Sequence, residues 1–105
     1  FQWAKSESAL YNGADLREAD MRGTNFGKCA MNGVNFSGSS LLQAEFASAY
    51  LYEVQLDSTA FGNQNWLDQL DTWETKGATE IRQQYEVVKD TSERFQFANW
   101  QLVRK

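Results

Sequence analysis

The sequence contains no histidine, no proline and a single cysteine among its 105 residues. Without histidine, zinc sites and catalytic triads or dyads that depend on an imidazole are excluded. One cysteine cannot form an internal disulfide, and neither usual spacing of a glycine-rich phosphate loop occurs. The sequence therefore predicts no catalytic residue, no cofactor-binding residue and no metal ligand.

Basic charge and long apolar runs are also scarce. Ten Lys and Arg residues stand against fourteen Asp and Glu residues, which gives a formal net charge of −4. Binding to nucleic acid or anionic lipid requires clustered basic residues, so neither is a preferred partner. No apolar run approaches the ~20 residues of a membrane-spanning helix. Because the chain opens at Phe1 rather than at Met, we expect a processed or truncated product, and the compartment stays open.

Large apolar residues recur at every fifth position from Tyr11 to Trp66. The members of this register are Tyr11, Leu16, Met21, Phe26, Met31, Phe36, Leu41, Phe46, Leu51, Leu56, Phe61 and Trp66. A second register of small residues lies two places earlier and runs from Ala9 to Thr59. A period of five fits neither an α-helix nor a flat strand. Two interleaved registers, one bulky and one small, therefore indicate a repeat architecture.

The period changes after Trp66. Apolar residues at i, i+4 and i+7 are typical of an amphipathic helix, and this spacing occurs twice, in Trp66, Leu70 and Trp73 and in Ile81, Tyr85 and Val88. Lys76 and Gly77 separate the two predicted helices, and we expect the second, from Ala78 or Thr79, to be the longer. Residues 95–102 alternate apolar and polar, which predicts a short strand or a returning repeat packed on the end of the repeat region.

The five-residue units resemble those of a known family. Ala14-Asp15-Leu16-Arg17-Glu18 and Ala44-Glu45-Phe46-Ala47-Ser48 are similar to the pentapeptide-repeat signature of a small residue, Asp or Asn, Leu or Phe, and two variable positions. The resemblance implies a right-handed quadrilateral β-solenoid of about three coils, all-β apart from a C-terminal α-helical extension. Residues twenty apart would then stack, as Phe26 on Phe46. We expect a lead-in or cap at 1–8, the solenoid at 9–66 and a helical cap with a terminal strand-like segment at 67–105.

Function, on this interpretation, depends on side chains that point outward. Leu10, Ala30 and Tyr50 would stack on one face, beside Asn12, Asn32 and Tyr52, and Leu42 would lie on an adjacent face. Aromatic side chains with a polar tip are enriched where proteins dock, although the C-terminal helices could instead fold over the tyrosines. The candidate protein-contact residues are Leu10, Leu42, Tyr50, Tyr52, Trp73 and Trp100.

These features favour a non-catalytic scaffold or accessory subunit that binds another protein and needs no cofactor. The resemblance further implies a lumenal subunit of a photosynthetic (thylakoid) membrane complex, or a periplasm-like compartment, with the protein peripheral to the membrane. Two alternatives stay open. One is a DNA-mimicking, gyrase-interacting protein, although Arg17, Arg22 and Lys28 interrupt the acidic surface that mimicry of duplex DNA requires. The other is a structural domain of a larger polypeptide.

Overall fold

The computed structural model describes residues 10–105, so the expectations for the lead-in at 1–8 and for Ala9 lie outside the described residues. After a repeat segment that we define as residues 10–61, two helices and a small sheet complete the chain. The elements are β1 Ala60–Phe61, α1 Trp66–Thr72, α2 Ala78–Gln84, β2 Tyr85–Lys89 and β3 Trp100–Arg104.

A tight turn occurs at every fifth residue of the repeat segment. In the first turn, the Ala14 N–H donates to the Tyr11 carbonyl at 2.9 Å. The second central residue of each turn has a positive φ, and four of these ten positions are glycine: Gly13, Glu18, Gly23, Lys28, Gly33, Gly38, Gln43, Ser48, Glu53 and Ser58. Because glycine adopts this left-handed backbone without a steric penalty, glycine is frequent at one of the two variable positions of the repeat.

Where Asp or Asn precedes the bulky residue, as at Asp15, Asp20, Asn25 and Asn35, its side chain stabilises the turn that follows it. The Arg17 N–H donates to Asp15 Oδ1 at 3.1 Å, and the Gly27 N–H donates to Asn25 Oδ1 at 2.8 Å. Short carboxylate and amide side chains form such bonds to the backbone two residues on. This local hydrogen bond explains the preference for Asp or Asn at that position of the repeat.

Residues twenty apart pair in parallel, as the repeat predicted. The paired sets are Leu10, Ala30 and Tyr50; Asp15, Asn35 and Gln55; Asp20, Ser40 and Ala60; and Asn25 and Glu45. Two backbone hydrogen bonds join the residues around Asp15 to Asn35. The Leu16 N–H donates to the Asn35 carbonyl at 2.9 Å, and the Asn35 N–H donates to the Ala14 carbonyl at 3.0 Å. The chain therefore advances by one layer for every twenty residues.

Both registers of the repeat point into the core. Phe26 and Phe46 stack with their ring centroids 5.3 Å apart, and Phe36 meets Phe46 edge to face at 6.0 Å. Cys29 in the small register is fully buried, as expected for an inert thiol. Trp66 is buried and meets the Phe46 ring at 6.1 Å. Trp66 belongs to α1 rather than to a further repeat. The five-residue spacing of buried bulky residues therefore continues for one more position beyond the repeat segment.

The prediction of a longer second helix is wrong. Both α1 and α2 contain seven residues, and Tyr85 and Val88 lie on β2. Strand β2 pairs antiparallel with β3, with Val87 opposite Leu102, and the sheet has the order β1-β3-β2. This long-range pairing, together with the strand preference of adjacent valines, outweighs the helical spacing. A terminal strand was expected within 95–102, and the observed strand β3 begins later, at Trp100.

The C-terminal elements satisfy the backbone groups of the last layer. The Leu51 N–H donates to the Lys76 carbonyl at 2.8 Å, and the Ser58 N–H donates to the Leu102 carbonyl at 2.8 Å. A side chain completes the set, since the Leu56 N–H donates to the Tyr85 hydroxyl oxygen at 3.0 Å. Unpaired strand edges expose a row of donors and acceptors that can pair with other chains. Residues 73–105 therefore close this end of the repeat segment.

Candidate functional site

The six candidate contact residues fall on separate parts of the described surface. Leu10 and Tyr50 belong to one paired set, which Lys76 extends. Leu10 is 81% exposed and Tyr50 and Tyr52 are each 44% exposed, so the C-terminal helices do not fold over the tyrosines. Trp100 is half-buried in β3, opposite Phe61. Leu42 and Trp73 line a common cavity.

We define this cavity as the Leu42 cleft. It has a volume of about 460 Å³ and lies where the repeat segment meets α1 and the β2–β3 loop. Its lining consists of Leu41, Leu42, Gln43, Ala44, Glu45, Phe61, Gly62, Asn63, Trp66, Gln69, Trp73 and Phe97. Large apolar side chains stand there beside the polar residues Gln43, Glu45, Asn63 and Gln69, and binding pockets combine apolar walls with polar groups. The cleft is therefore the strongest candidate site in the described part of the chain.

Gly62 allows the two rims of the cleft to approach each other. A Cβ at this position would lie 2.7 Å from Leu42 Cδ1 and 3.3 Å from the Phe97 carbonyl oxygen. The first distance is shorter than ordinary van der Waals contact. A side chain at position 62 would therefore displace Leu42. With glycine at this position, Leu42 can lie close to the β2–β3 loop.

Phe97 is held outward by an unusual backbone conformation. Its φ is 67°, and the side chain is 68% exposed, the largest exposed aromatic area among the described residues. A bulky residue at positive φ is a conformational outlier, at a cost of about 1–2 kcal/mol. The alternation over 95–102 gave no sign of this reversal, and sequence reasoning did not identify Phe97 as a site residue.

The buried lining contains one polar group that is not satisfied within the described residues. Trp66 is only 2% exposed, and its indole Nε1 has no hydrogen-bond partner there. Buried donors are hydrogen-bonded in the large majority of cases, so an exception calls for a physical explanation. The Nε1 atom itself is buried, so the N–H is not accessible from the cleft in the described structure.

One charged side chain belongs to the cleft lining, that of the exposed Glu45. Helix α1, which supplies Trp66 and Gln69, also carries Asp68 and Asp71. At 3.6 residues per turn these two carboxylates lie on the opposite face of the helix, where Asp71 forms an ion pair with Arg82 of α2.

A second concavity, of about 710 Å³, has a different character. It is lined by charged residues that include Asp15, Arg17, Asp57 and Arg94. Arg17 pairs with Asp15 at 2.8 Å, and its hydrogen bonds lower the pKa of the Asp15 carboxyl. Arg94 donates to the Ser58 carbonyl at 2.8 Å. These charged groups are therefore already paired with one another or bonded to the backbone.

Two absences concern the described residues alone. Neither seven-residue helix in 10–105 is long and apolar enough to cross a bilayer. No group of three or more Cys, Asp or Glu residues within that range is arranged to hold a metal ion.

Five-residue turns stacked at a spacing of twenty define a repeat protein with a non-repeating C-terminal cap. The family model for pentapeptide repeats matches residues 7–38 and 29–63, with 8 copies of the repeat. Because these matches span more than half of the chain, the chain belongs to the pentapeptide-repeat family. Comparisons with curated proteins and with solved structures gave no match.

Proposed function

We propose that this protein is a non-catalytic scaffold or accessory subunit that binds another protein through the Leu42 cleft. The observation that carries the proposal is the exposed Phe97 ring, held in a strained conformation beside Leu42 and Trp73. Strained residues cluster at binding and switch regions, and exposed apolar patches mark interaction sites. Membership of the pentapeptide-repeat family is consistent with this role.

The architecture that we infer for this scaffold is a right-handed, four-sided β-solenoid of about three coils. Pentapeptide repeats imply a β-solenoid fold, and the pairing of residues twenty apart supports four repeats per coil. We place the lead-in at 1–8, the solenoid at 9–66 and the cap at 67–105. Trp66 then stands at the junction, since it opens α1 while it packs on Phe46.

For its place in the cell, we propose the lumenal side of a photosynthetic membrane complex, in peripheral association. This part of the proposal is supported by the family resemblance alone. The candidate contact residues Leu10, Tyr50, Tyr52 and Trp100 are assigned to secondary contacts outside the cleft. DNA mimicry is disfavoured, because Asp15 and Asp20 are each paired with an arginine at 2.8 and 3.0 Å.

The test is site-specific photo-crosslinking in the native source, since the cleft offers no lysine to amine-reactive reagents. Phe97→p-benzoylphenylalanine places the photoreactive group at the cleft, and Tyr52→p-benzoylphenylalanine probes the proposed secondary contacts on another face. We expect a partner protein crosslinked reproducibly at position 97 and identified by mass spectrometry. A monomeric size profile with no crosslink at either position would refute the scaffold role, and a crosslink at position 52 alone would refute the cleft.

A further inference from the structure

We propose that the free edge of β2 is a second interaction surface, which accepts an antiparallel strand of a partner protein with the order acidic, apolar, apolar, basic. Within the described residues, this edge shares no side chain with the lining of the Leu42 cleft. The inference therefore goes beyond the function proposed for the cleft and does not depend on it. Its support comes from the backbone groups, the valines and the charges of β2.

The backbone groups of Val87 and Lys89 point away from the sheet. Strand β2 lies at the edge of the order β1-β3-β2, and hydrogen-bonded pairs alternate along an antiparallel ladder. Because the Asp90 N–H donates to the opposite Asn99 carbonyl at 2.8 Å, the even-numbered residues of β2 bond to β3 and the odd-numbered ones face outward. The N–H and carbonyl of Val87 and Lys89 have no hydrogen-bond partner within the described part of the chain. Such an edge is a template for an added strand.

Two adjacent valines require apolar residues at the centre of the added strand. Val87 and Val88 are half-buried, and successive side chains of a strand point to opposite faces. Val87 lies opposite the fully buried Leu102, so its face of the sheet continues the core. An added strand with an apolar residue opposite each valine would cover the part of both side chains that is still exposed.

Exposed charges at either side of the valines select the ends of the added strand. Glu86 precedes the valines and Lys89 follows them. Opposite charges directly across a strand pair stabilise it, and like charges destabilise it. Antiparallel pairing continues the arrangement of β2 and β3 and is slightly more stable per residue than parallel pairing. The residue opposite Lys89 then comes first, so the partner reads Asp or Glu, apolar, apolar, Lys or Arg.

A second copy of this chain fits the edge less well. Its own segment Glu86-Val87-Val88-Lys89 has the preferred order, but only odd-numbered residues offer outward backbone groups. Two copies of β2 can therefore pair antiparallel only where an odd-numbered residue lies opposite an odd-numbered one. Glu86 cannot lie opposite Lys89 in any such register. The charge complementarity therefore favours a strand from a different protein.

The test titrates two capped peptides, acetyl-Thr-Glu-Val-Ile-Lys-Thr-amide and its charge-exchanged counterpart acetyl-Thr-Lys-Val-Ile-Glu-Thr-amide, into the ¹⁵N-labelled protein. We expect saturable NMR shifts and slower solvent exchange at the Val87 and Lys89 amides. The first peptide should bind roughly threefold to tenfold more tightly, because two cross-strand charge pairs favour it. The double variant Glu86→Lys with Lys89→Glu, first checked for a native-like NMR spectrum, should reverse the preference.

Backbone methylation of the first peptide tests the register without any change to the protein. In the proposed pairing, the peptide Ile lies opposite Val87 and donates its N–H to β2, whereas the N–H of the peptide Val points away. N-methylation of the Ile should weaken binding by about tenfold, since it removes one hydrogen bond and crowds the edge. N-methylation of the Val is the matched control and should weaken binding by less than about threefold.

Equal affinity of the two peptides, or equal effects of the two methyl groups, would overturn the proposal. Shifts confined to the Gly62 amide and the Trp73 indole, or no saturable shift at about 10 mM peptide, where even millimolar affinity would be detected, would do the same. A dimer in sedimentation analysis of the protein alone, with the Val87 and Lys89 amides protected from exchange, would assign the edge to a second copy and also reject it. None of these results changes the crosslink expected at position 97, so failure here is distinguishable from failure of the proposed function.

Discussion

Truncation of Phe46 to alanine is the most direct test of the core arrangement. The Phe46 side chain is fully buried and lies at the junction of the repeat segment with the cap. Its ring stacks on Phe26 at 5.3 Å and meets the rings of Phe36 at 6.0 Å, Trp66 at 6.1 Å and Trp73 at 6.1 Å. Phe46→Ala therefore removes contacts with two layers and with α1 at once.

The expected loss is about 3–5 kcal/mol, the range for a buried Phe→Ala change. Layers above and below are fixed by backbone pairing, so they cannot close the cavity freely, and we expect the upper half of this range. A typical domain has only ~5–15 kcal/mol of stability. At about 4–8 °C per kcal/mol for a domain of this size, a loss of about 4–5 kcal/mol should lower the midpoint of thermal unfolding by roughly 16–40 °C.

Urea unfolding followed by tryptophan fluorescence and circular dichroism measures this loss, since Trp66 and Trp73 report on the altered site. Hydrogen exchange distinguishes global destabilisation from local opening of the cap. The control Tyr52→Ala, at an exposed turn position, should stay within about 0.5 kcal/mol of the wild type. A loss below about 1 kcal/mol for Phe46→Ala, with an unchanged urea dependence, would refute the core assignment.

Three further perturbations test the cap. Gly77→Ala should lower the free energy of unfolding, measured in urea, by more than Gly13→Ala does. Both glycines have a positive φ, but a Cβ at Gly77 would lie 2.7 Å from the Leu51 carbonyl oxygen, whereas a Cβ at Gly13 would meet no atom within 4 Å. Equal losses for the two variants would contradict the clash. Tyr85→Phe should cost about 1–3 kcal/mol, since it leaves the Leu56 N–H without its acceptor, and a neutral result would argue against that bond. Burial alone would raise the pKa of Asp90, but hydrogen bonds from Ser92 and Arg94 outweigh it and lower the pKa below 3.8. Stability from Asp90 is thus present above the unfolded-state pKa and is lost as pH falls through the lowered folded-state value, so an acid titration should show a loss below about pH 4 that Asp90→Asn lacks.

The repeat segment could be predicted because its information is local and periodic. Each bulky residue, such as Phe26 or Phe36, is followed five residues later by its equivalent, and several turns are stabilised by a nearby Asp or Asn. The parallel pairing of Asn25 with Glu45 then follows from the family resemblance and a period of twenty. No distant segment has to be known before these contacts can be assigned.

The cap was harder to predict because its contacts are long-range. The spacing of Ile81, Tyr85 and Val88 fits a helix, yet the helix ends at Gln84, where the chain enters the pairing with β3. The acceptor role of the Tyr85 hydroxyl depends on Leu56, which lies 29 residues earlier. Such partners are set by tertiary packing, which outweighs local propensity in short elements.

Only part of the candidate site could be predicted from the sequence, again because its contacts are long-range. Leu42 and Trp73 stood out as apolar residues at exposed or uncertain positions, but their common cleft depends on how the cap returns to the repeat segment. Phe97 was missed because an alternating pattern assigns it to the same side as Phe95. In the structure the Ala98 N–H donates to the Phe95 carbonyl at 3.2 Å and Phe97 has a positive φ, so Phe97 lies in a turn rather than in an alternating strand.

The position of the cleft follows from how the repeat segment uses its polar groups. Asp15, Asn25 and Asn35 each bond to the turn that follows them, so the side chains that recur on its surface already have partners. The cap, which is free of the five-residue pattern, adds Trp73 and Phe97 beside Leu42. The proposed binding surface therefore lies where the repeat ends, and there the side chains can vary without loss of the turns that hold the layers together.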